Sequence, residues 1–288
     1  MGGGSIDTSG ITTSYLDVPY ANASETQKLD IYLPNEGDGL FPVIIVFHGG
    51  GFMMGSKTGG DISAMFESLD HGFAVVSVDY RLSGEAIFPA AIQDAKAAIR
   101  FIRANAAEYN LNPDKIALWG DSAGGNIASI AGTTGGTNDL YDTSLGYADV
   151  SDDVTAVVDW FGPINFLKMD EQFEASGVAR ATGTTNSESS PESKYIGQLI
   201  TQASDLVAEA NPESYITKDD PAFLIQHGTV DGNVPTQQSI DFAAALQSVL
   251  GSDKVQLTLL DGAGHGGTQF ESAENLDLVF AFLDQSMK

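Results

Sequence analysis

One segment constrains the fold of this chain more than any other. It runs from Lys115 to Ile130 and reads KIALWGDSAGGNIASI, in which an apolar run from Ile116 to Trp119 is followed by a Gly-rich turn and the start of a helix. A serine on so sharp a turn adopts a positive φ, and only neighbours without a Cβ let the strand and the helix approach closely. Gly120 and Gly124 occupy those neighbouring positions. The pattern therefore predicts that Ser122 lies at the end of a buried strand, beside a helix N-terminus.

On its own, the pentapeptide around Ser122 leaves two interpretations open. A Gly/Ser-rich turn at the start of an ordinary helix would have the same residues. Alternatively, Ser122 is a nucleophile, because N–H groups at the start of the following helix can stabilise a negative charge that develops on a substrate oxygen. Residues elsewhere in the chain are needed to distinguish the two interpretations.

The elements around this segment alternate between strands and helices. Two half-buried strands are predicted to form a hairpin at the start of the chain, and further strands and helices then follow in turn. The predicted strands are 14–20, 28–33, 42–47, 73–80, 116–119, 155–161, 222–226 and 255–260, and the main helices are 63–70, 89–109, 236–250 and 273–285. This alternation predicts an α/β fold with a mostly parallel, twisted sheet of about eight strands and helices on both faces. In such sheets, ligands bind at the carboxyl ends of the strands.

A polar and irregular stretch from about Asn165 to Asp219 interrupts the alternation. We expect residues 1–288 to form a single domain in which 165–219 is a small lid over the strand ends, because the stretch is too polar to belong to the core. A mobile surface excursion is the alternative.

A serine nucleophile needs a base, usually a histidine that a carboxylate orients. The chain contains four histidines. In hydrolases with this type of serine turn the order along the chain is serine, acid, histidine, which excludes His48 and His71. His227 comes before the best candidate acid, whereas His265 lies in a Gly-rich loop after the last strand and can reach back over the sheet to Ser122. We therefore predict that His265 is the base.

The candidate acid is Asp231, in a turn directly after the predicted strand 222–226. Its rival is Asp261, four residues before His265. Asp231 is favoured because a carboxylate that binds the far nitrogen of the imidazole must approach from beside the loop of His265. The alternative is that Asp231 and Gly232 form only a turn.

Three successive glycines, Gly49 to Gly51, follow the predicted strand 42–47. Such a segment lets backbone N–H groups approach a ligand closely, as an oxyanion hole requires. We predict that the N–H groups of Gly50, Gly51 and Ala123 form that hole, and that His48 shapes the loop through side-chain hydrogen bonds. A glycine triplet without a neighbouring serine turn would indicate only a flexible loop.

Several large apolar side chains follow strand ends and are candidates for a substrate pocket or for ordinary packing: Phe52, Met53, Phe161 and Phe166. Among the charged residues, Asp121 is expected to point away from the site, with Asp79 and Arg81 as neighbours. Glu85 and Asp94 are expected on a helix surface.

Charge and composition exclude several classes of function. The 288 residues include 39 acidic and 13 basic ones, for a formal net charge of -26, which argues against nucleic acid, anionic membranes and long anionic substrates as partners. So acidic a surface indicates either adaptation to salt or a general need for solubility. The acidic residues are dispersed and cysteine is absent, so we expect neither a metal site nor a disulfide.

No apolar run approaches the roughly 18 to 20 residues that span a bilayer. The first ten residues lack the basic and apolar regions of a secretory signal. A cytoplasmic protein and a secreted protein whose leader has been removed both fit the sequence.

Together, these motifs resemble the α/β-hydrolase carboxylesterases that carry an HGGG oxyanion motif. This group contains the hormone-sensitive-lipase-like esterases and the bacterial feruloyl and acetyl-xylan esterase-like enzymes. The resemblance extends in order from about residue 28 to 266 and rests on Leu29 to Pro34, His48 to Phe52 with Gly55, Asp79 to Leu82, Phe88 to Ala91, Gly120 to Asn126, His227 and Gly228 with Asp231, Val234 and Pro235, and Gly264 with His265.

The resemblance implies an α/β-hydrolase fold and a serine carboxylesterase that hydrolyses short-chain acyl esters through an acyl-enzyme on Ser122, without a cofactor. It is strongest to the smaller esterases that act on acyl groups of carbohydrates, because the variable segment follows the sixth strand. The expected partner is a small-molecule ester. A serine peptidase of the prolyl-oligopeptidase type and a non-catalytic binding protein with the hydrolase fold are the alternatives. The oligomeric state stays open, a homodimer included.

Overall fold

A computed structural model describes residues 3–288 of the protein. Its centre is a sheet of eight strands in the order β1-β2-β4-β3-β5-β6-β7-β8. The strands are β1 (Ser14–Pro19), β2 (Lys28–Tyr32), β3 (Phe41–Phe47), β4 (Ala74–Val78), β5 (Leu111–Asp121), β6 (Ala156–Trp160), β7 (Ala222–Gly228) and β8 (Val255–Leu260). The β1–β2 and β2–β4 pairs are antiparallel, and the other five pairs are parallel. The predicted α/β fold with a mostly parallel sheet is confirmed.

Eight α-helices accompany the sheet: α1 (Ala90–Ala104), α2 (Ala123–Thr133), α3 (Met169–Ser176), α4 (Pro191–Ile196), α5 (Ser204–Glu209), α6 (Thr236–Leu250), α7 (Thr268–Glu271) and α8 (Ala273–Met287). The count refers to residues 3–288. Helices α1, α2 and α6 cover one face of the sheet, while a 3₁₀ helix, Gly60–His71, and α8 cover the other.

The central strands are apolar along their whole length because both of their faces are covered. In β3, for example, Val43 and Ile45 pack into the core on the side of α1 and α2, whereas Ile44 and Val46 pack into the core on the side of α8. The continuous apolar runs in the sequence therefore correspond to strands that contribute to two cores.

Element boundaries differ from the prediction around α1. The predicted helix 89–109 divides into α1, which ends at Ala104, and a 3₁₀ turn, Ala106–Tyr109. Strand β5 begins at Leu111, several residues before the predicted apolar run, because Leu111 pairs with Phe41 of β3 before the register shifts. Pairing with β3 therefore makes residues 112–115 part of β5, although their sequence is polar.

Residues 165–219 lie between β6 and β7 and contain the short helices α3, α4 and α5, with 3₁₀ turns before α3, between α4 and α5, and after α5. Within the described part of the chain, no helix is both long and apolar enough to cross a membrane.

Candidate active site

Ser122 lies on a strained turn between β5 and α2. Its φ is 55° and its ψ is -121°, a backbone conformation that a residue with a side chain rarely adopts. The approach of the two elements explains the flanking glycines: a Cβ on Gly120 would overlap the carbonyl group of Gly124, and a Cβ on Gly124 would overlap the carbonyl oxygen of Phe47 in β3. Helix α2 therefore lies too close to β5 at Gly120, and too close to β3 at Gly124, for a side chain at either position.

The structure brings Ser122, His265 and Asp231 together. The hydroxyl Oγ of Ser122 lies 2.8 Å from Nε2 of His265, and Nδ1 of His265 lies 2.8 Å from Oδ2 of Asp231. A carboxylate only accepts hydrogen bonds, so Nδ1 carries the proton and Nε2 is free to accept the proton of Ser122. This is the geometry of a hydroxyl nucleophile, its base and the acid that orients the base.

Asp231 is completely enclosed, with a side chain that is 0% exposed. Burial opposes its ionisation, but hydrogen bonds from His227 and His265 outweigh that effect and lower the pKa of Asp231 below its usual range. The second oxygen, Oδ1, accepts the backbone N–H groups of Asn233 at 2.8 Å and Val234 at 2.9 Å. The carboxylate is thus held in its charged form and in one orientation.

The competing acid and two other histidines are placed elsewhere. Asp261 is exposed, and the hydrogen-bond partner of its side chain is Thr229 rather than His265. His71 stacks on the ring of Phe280 on the far side of the sheet. His227 is buried and contacts the same carboxylate oxygen of Asp231 as His265, with 3.1 Å between Nε2 and Oδ2.

The glycine triplet forms a loop against Ser122. Gly50 and Gly51 have φ values of 115° and 62°, which favour glycine. A Cβ placed on Gly49 would lie 3.2 Å from the Cβ of Ser122. Across residues 3–288, the N–H groups of Gly50, Gly51 and Ala123 meet no hydrogen-bond acceptor.

Two buried side chains support this loop. His48 stacks on Tyr80 at 4.4 Å between ring centroids, and its Nδ1 lies 2.6 Å from the carbonyl oxygen of Gly49. Burial lowers the pKa of His48. The Tyr80 hydroxyl donates to the carbonyl oxygen of His48 over 2.7 Å. The predicted role of His48 in shaping the loop agrees with these contacts.

The predicted neighbours of Asp121, Asp79 and Arg81, are wrong. The Asp121 carboxyl lies beside Gly49 and Asp61, whose Oδ2 accepts the Gly49 N–H over 2.9 Å. Burial, followed by the charge of Asp61, raises the pKa of Asp121 well above its usual range. Asp79 instead accepts the backbone N–H of Lys57. The carboxyl groups of Asp121 and Asp61 therefore form a pair beside Gly49.

The prediction that Asp94 lies on a helix surface is wrong. Its side chain is 0% exposed, and it accepts hydrogen bonds from Arg81, with 2.8 Å between Nη2 and Oδ1, and from Gln27. A carboxylate is tolerated in the interior because the guanidinium neutralises its charge and fills its hydrogen bonds. Glu85 is exposed, but it lies in a turn before α1 rather than on a helix.

The four candidate pocket residues fall into three environments. Phe52 stacks on Tyr195 of α4 with 3.8 Å between centroids and also contacts Phe166; both phenylalanines are buried. Met53 is partly exposed. Phe161 packs against the imidazole of His265 at 4.6 Å between centroids. Their part in substrate binding stays a prediction, and Phe161 has the most direct contact with the site.

The segment 165–219 touches both loops of the site. The N–H of Ala181 donates to the carbonyl oxygen of Gly232, next to Asp231, over 2.8 Å. At the start of α4, the Cβ of Pro191 would lie 3.2 Å from a Cβ on Gly51. The residues from Ala181 to Pro191 therefore connect the turn 231–234 with the glycine loop 48–51, which are called the acid loop and the oxyanion loop after their predicted roles.

An ion pair organises this connecting segment. Arg180 lies 2.5 Å from Asp170 of α3, and the same carboxylate accepts the N–H groups of Thr185 and Asn186 at 2.8 and 2.9 Å. Next to Pro191, Glu192 is partly exposed and accepts no hydrogen bond from any other residue in the described range 3–288, and burial raises its pKa.

Sequence reasoning missed Asp61, Tyr195 and Glu192. Asp61 reaches Gly49 from a helix of its own, and Tyr195 and Glu192 lie in a stretch of sequence without a recognisable motif. No local signal distinguishes these residues from other polar residues, because Asp61 and Tyr195 gain their place through contacts with Gly49 and Phe52, which lie elsewhere in the chain.

Comparisons with known proteins agree with this fold. The family model described as BD-FAE matches residues 29–246. The esterase LipC of Mycobacterium tuberculosis is 30% identical over 78% of this chain and 53% of its own length. The chain spans about half the length of the first curated relatives it matches. The solved structure of a bifunctional GH43-CE of Bacteroides eggerthii is 36% identical, with a TM-score of 0.84, and covers 96% of this chain and 35% of its own. A truncated carbohydrate esterase from gut microbiota is 33% identical, with a TM-score of 0.85, over 99% of this chain and 100% of its own.

Proposed function

The chain belongs to the BD-FAE family of α/β-hydrolases, and from this membership and the contacts of Ser122 we propose that it is a serine carboxylesterase. The observation that carries the proposal is the continuous hydrogen-bonded series from Asp231 through His265 to Ser122, with 2.8 Å at each step. The three free N–H groups beside Ser122 add the second requirement of acyl transfer, which is stabilisation of an oxyanion.

In the first half of the reaction, Nε2 of His265 takes the proton of Ser122 as Oγ attacks the ester carbonyl carbon. The carbonyl oxygen becomes negative and accepts hydrogen bonds from the N–H groups of Gly50, Gly51 and Ala123. Asp231 stays ionised and stabilises the imidazolium. The tetrahedral intermediate collapses when the imidazolium donates its proton to the alcohol oxygen, which leaves with the electrons of the C–O bond.

The acyl-enzyme on Ser122 is then hydrolysed by the same groups. His265 removes a proton from a water molecule that attacks the acyl carbon, and it returns this proton to Oγ of Ser122. Every proton moves between groups of the chain, the substrate and water.

We further infer that the substrate is a short-chain acyl ester of a carbohydrate. One of the similar solved structures is named a carbohydrate esterase, and the name of another, the bifunctional GH43-CE, includes a CE module. The segment that joins the acid loop to the oxyanion loop is rich in serine and threonine from 182 to 190 and is followed by Glu192. Hydroxyl and carboxylate groups suit a polar alcohol better than a long alkyl chain.

We propose that residues 165–219 act as a lid that selects the ester. The support is the attachment of this segment to Gly232 on one side and to Gly51 on the other. A segment anchored at both loops limits the space available above Ser122.

The test compares Ser122→Ala with Ser248→Ala, which changes an exposed serine on α6. Wild type and Ser248→Ala should hydrolyse p-nitrophenyl acetate and react with a fluorophosphonate probe, whereas Ser122→Ala should lose at least about 10³-fold in kcat and fail to react. Full turnover by Ser122→Ala would refute the mechanism.

A substrate panel of acetylated xylan, feruloyl esters, graded p-nitrophenyl esters and peptide amides separates the alternatives. Cleavage of the amides alone would point to a serine peptidase. A folded wild type that neither turns over the panel nor reacts with the probe would be a binding protein.

A further inference from the structure

His227 is a fully buried histidine at the end of β7 for which the proposed reaction has no use. Its Nδ1 lies 2.6 Å from the hydroxyl of Ser239 in α6. Its Nε2 lies 2.9 Å from the carbonyl oxygen of Val234 and 3.1 Å from Oδ2 of Asp231. Both ring nitrogens are thus directed at specific polar atoms, and one of these atoms belongs to the candidate acid.

The partners determine which nitrogen carries the proton. A carbonyl oxygen and a carboxylate are acceptors only, so Nε2 must be the donor toward Val234 and Asp231. The hydroxyl of Ser239 can then donate to Nδ1. His227 in this way directs an Nε2–H at the turn that contains the acid.

This N–H completes the enclosure of Asp231. His265 donates to Oδ2, His227 faces the same oxygen with its Nε2–H, and the N–H of Val234 donates to Oδ1. His227 also binds the carbonyl oxygen of Val234, so it joins both ends of the turn from 231 to 234 to the end of β7.

We propose that His227 is a positioning residue that holds the Asp231 carboxylate in the orientation needed by His265. The inference rests on the proposed function, since it assigns Asp231 to the acid of that reaction. Without a donor at Nε2, the buried carbonyl of Val234 loses its partner, the turn relaxes, and the carboxylate can rotate away from Nδ1 of His265.

Two substitutions separate this role from simple packing. In His227→Gln the side-chain amide reaches the position of Nε2 and keeps a donor toward Asp231. In His227→Asn the shorter amide reaches only the position of Nδ1, so the contact with Ser239 can persist while the donor toward Asp231 is lost. Both variants bury one amide, which makes them matched controls for each other.

We expect His227→Asn to lower kcat for p-nitrophenyl acetate by roughly ten- to a hundredfold with little change in KM. It should also slow fluorophosphonate labelling of Ser122 and displace or remove the low-field proton NMR resonance of the hydrogen bond between Nδ1 of His265 and Asp231. His227→Gln should stay within a few-fold of wild type in all three. Equal effects of the two variants on kcat and on the resonance would overturn the proposal.

A measurement on the wild type keeps the proposal testable even if a variant does not fold. Nitrogen-15 NMR of the imidazole distinguishes the two neutral tautomers, and the proposal requires the proton of His227 on Nε2. Finding it on Nδ1 would overturn the proposal. A wild type without esterase activity or labelling of Ser122 would instead refute the proposed function, while the tautomer and the low-field resonance would still decide whether His227 positions Asp231.

Discussion

Asp159 in β6 should make the protein less stable as the pH rises through the weakly acidic range. Its side chain is 0% exposed, and Oδ1 accepts the N–H of Gly162 over 3.0 Å. The carboxyl lies beneath the first turn of α2, where a Cβ on Gly125 would meet Oδ1. Burial raises the pKa of Asp159 from 3.8 to about 7, although Gly162, His227 and Ser129 each favour the charged form.

The direction of the effect follows from the two pKa values. In the unfolded chain the carboxyl loses its proton near pH 3.8, whereas in the folded protein it keeps the proton up to about pH 7. Between these values the folded state binds one more proton than the unfolded state, so the free energy of unfolding falls as pH rises. Each pKa unit corresponds to roughly 1.4 kcal/mol, so the loss reaches about 4 kcal/mol by pH 8. A typical domain is stable by about 5 to 15 kcal/mol, so this loss is measurable.

The substitution Asp159→Asn replaces the carboxyl by a neutral group of the same shape, which can still accept the N–H of Gly162. Urea unfolding of both proteins between pH 4 and pH 8 measures the difference. We expect the two to differ little at pH 4 and the variant to gain about 4 kcal/mol relative to wild type by pH 8. The exposed Asp253→Asn should change stability by less than about 0.5 kcal/mol at every pH.

A difference between Asp159→Asn and wild type that stays constant from pH 4 to pH 8 would refute the reasoning. It would mean that the carboxyl ionises at the same pH in both states, and hence that water or a rearrangement of α2 solvates its charge.

Three further predictions concern the site directly. Asp231→Asn should lower kcat by roughly 10³- to 10⁴-fold with little change in KM, because the amide stabilises the wrong tautomer of the base; steady-state kinetics measure it, and an unchanged kcat would exclude Asp231 as the acid. Gly124→Ala should destabilise the fold by several kcal/mol, since its Cβ would overlap the backbone of Phe47, whereas Gly183→Ala, whose Cβ would meet nothing within 4 Å, should unfold at the wild-type temperature in a thermal melt; equal melting of the two would contradict the packing argument. Glu192→Ala should raise KM for acetylated xylo-oligosaccharides several-fold relative to p-nitrophenyl acetate, and an equal change for both substrates would show that Glu192 does not contact the alcohol.

Much of the site could be read from the sequence because its signals are local. The strain at Ser122 and the close packing at Gly124 require particular residues within a few positions, whatever the remainder of the chain does. The chain order of serine, acid and base then reduced four histidines to two candidates. The structure brings His265 to Ser122, while the catalytic roles of these residues stay predictions.

The errors concern charged residues whose partners lie far away in the sequence. The sequence predicts a surface position for Asp94 on α1, yet Arg81 supplies a cation that permits its burial. The sequence predicts Asp79 and Arg81 as neighbours of Asp121, but the 3₁₀ helix Gly60–His71 places Asp61 beside it. A periodic pattern shows which face of a helix is apolar, but it does not show which ion pairs are buried.

The sequence by itself determined the sheet, the serine turn and the glycine-rich oxyanion loop, because apolar periodicity and the steric freedom of glycine act within a few residues. Only the tertiary structure decided that Asp231 rather than the exposed Asp261 reaches the imidazole, that His227 encloses the same carboxylate, and that residues 181–191 connect the acid loop to the oxyanion loop. These contacts join elements far apart in the chain, and their geometry depends on how the strands and helices pack around one sheet edge.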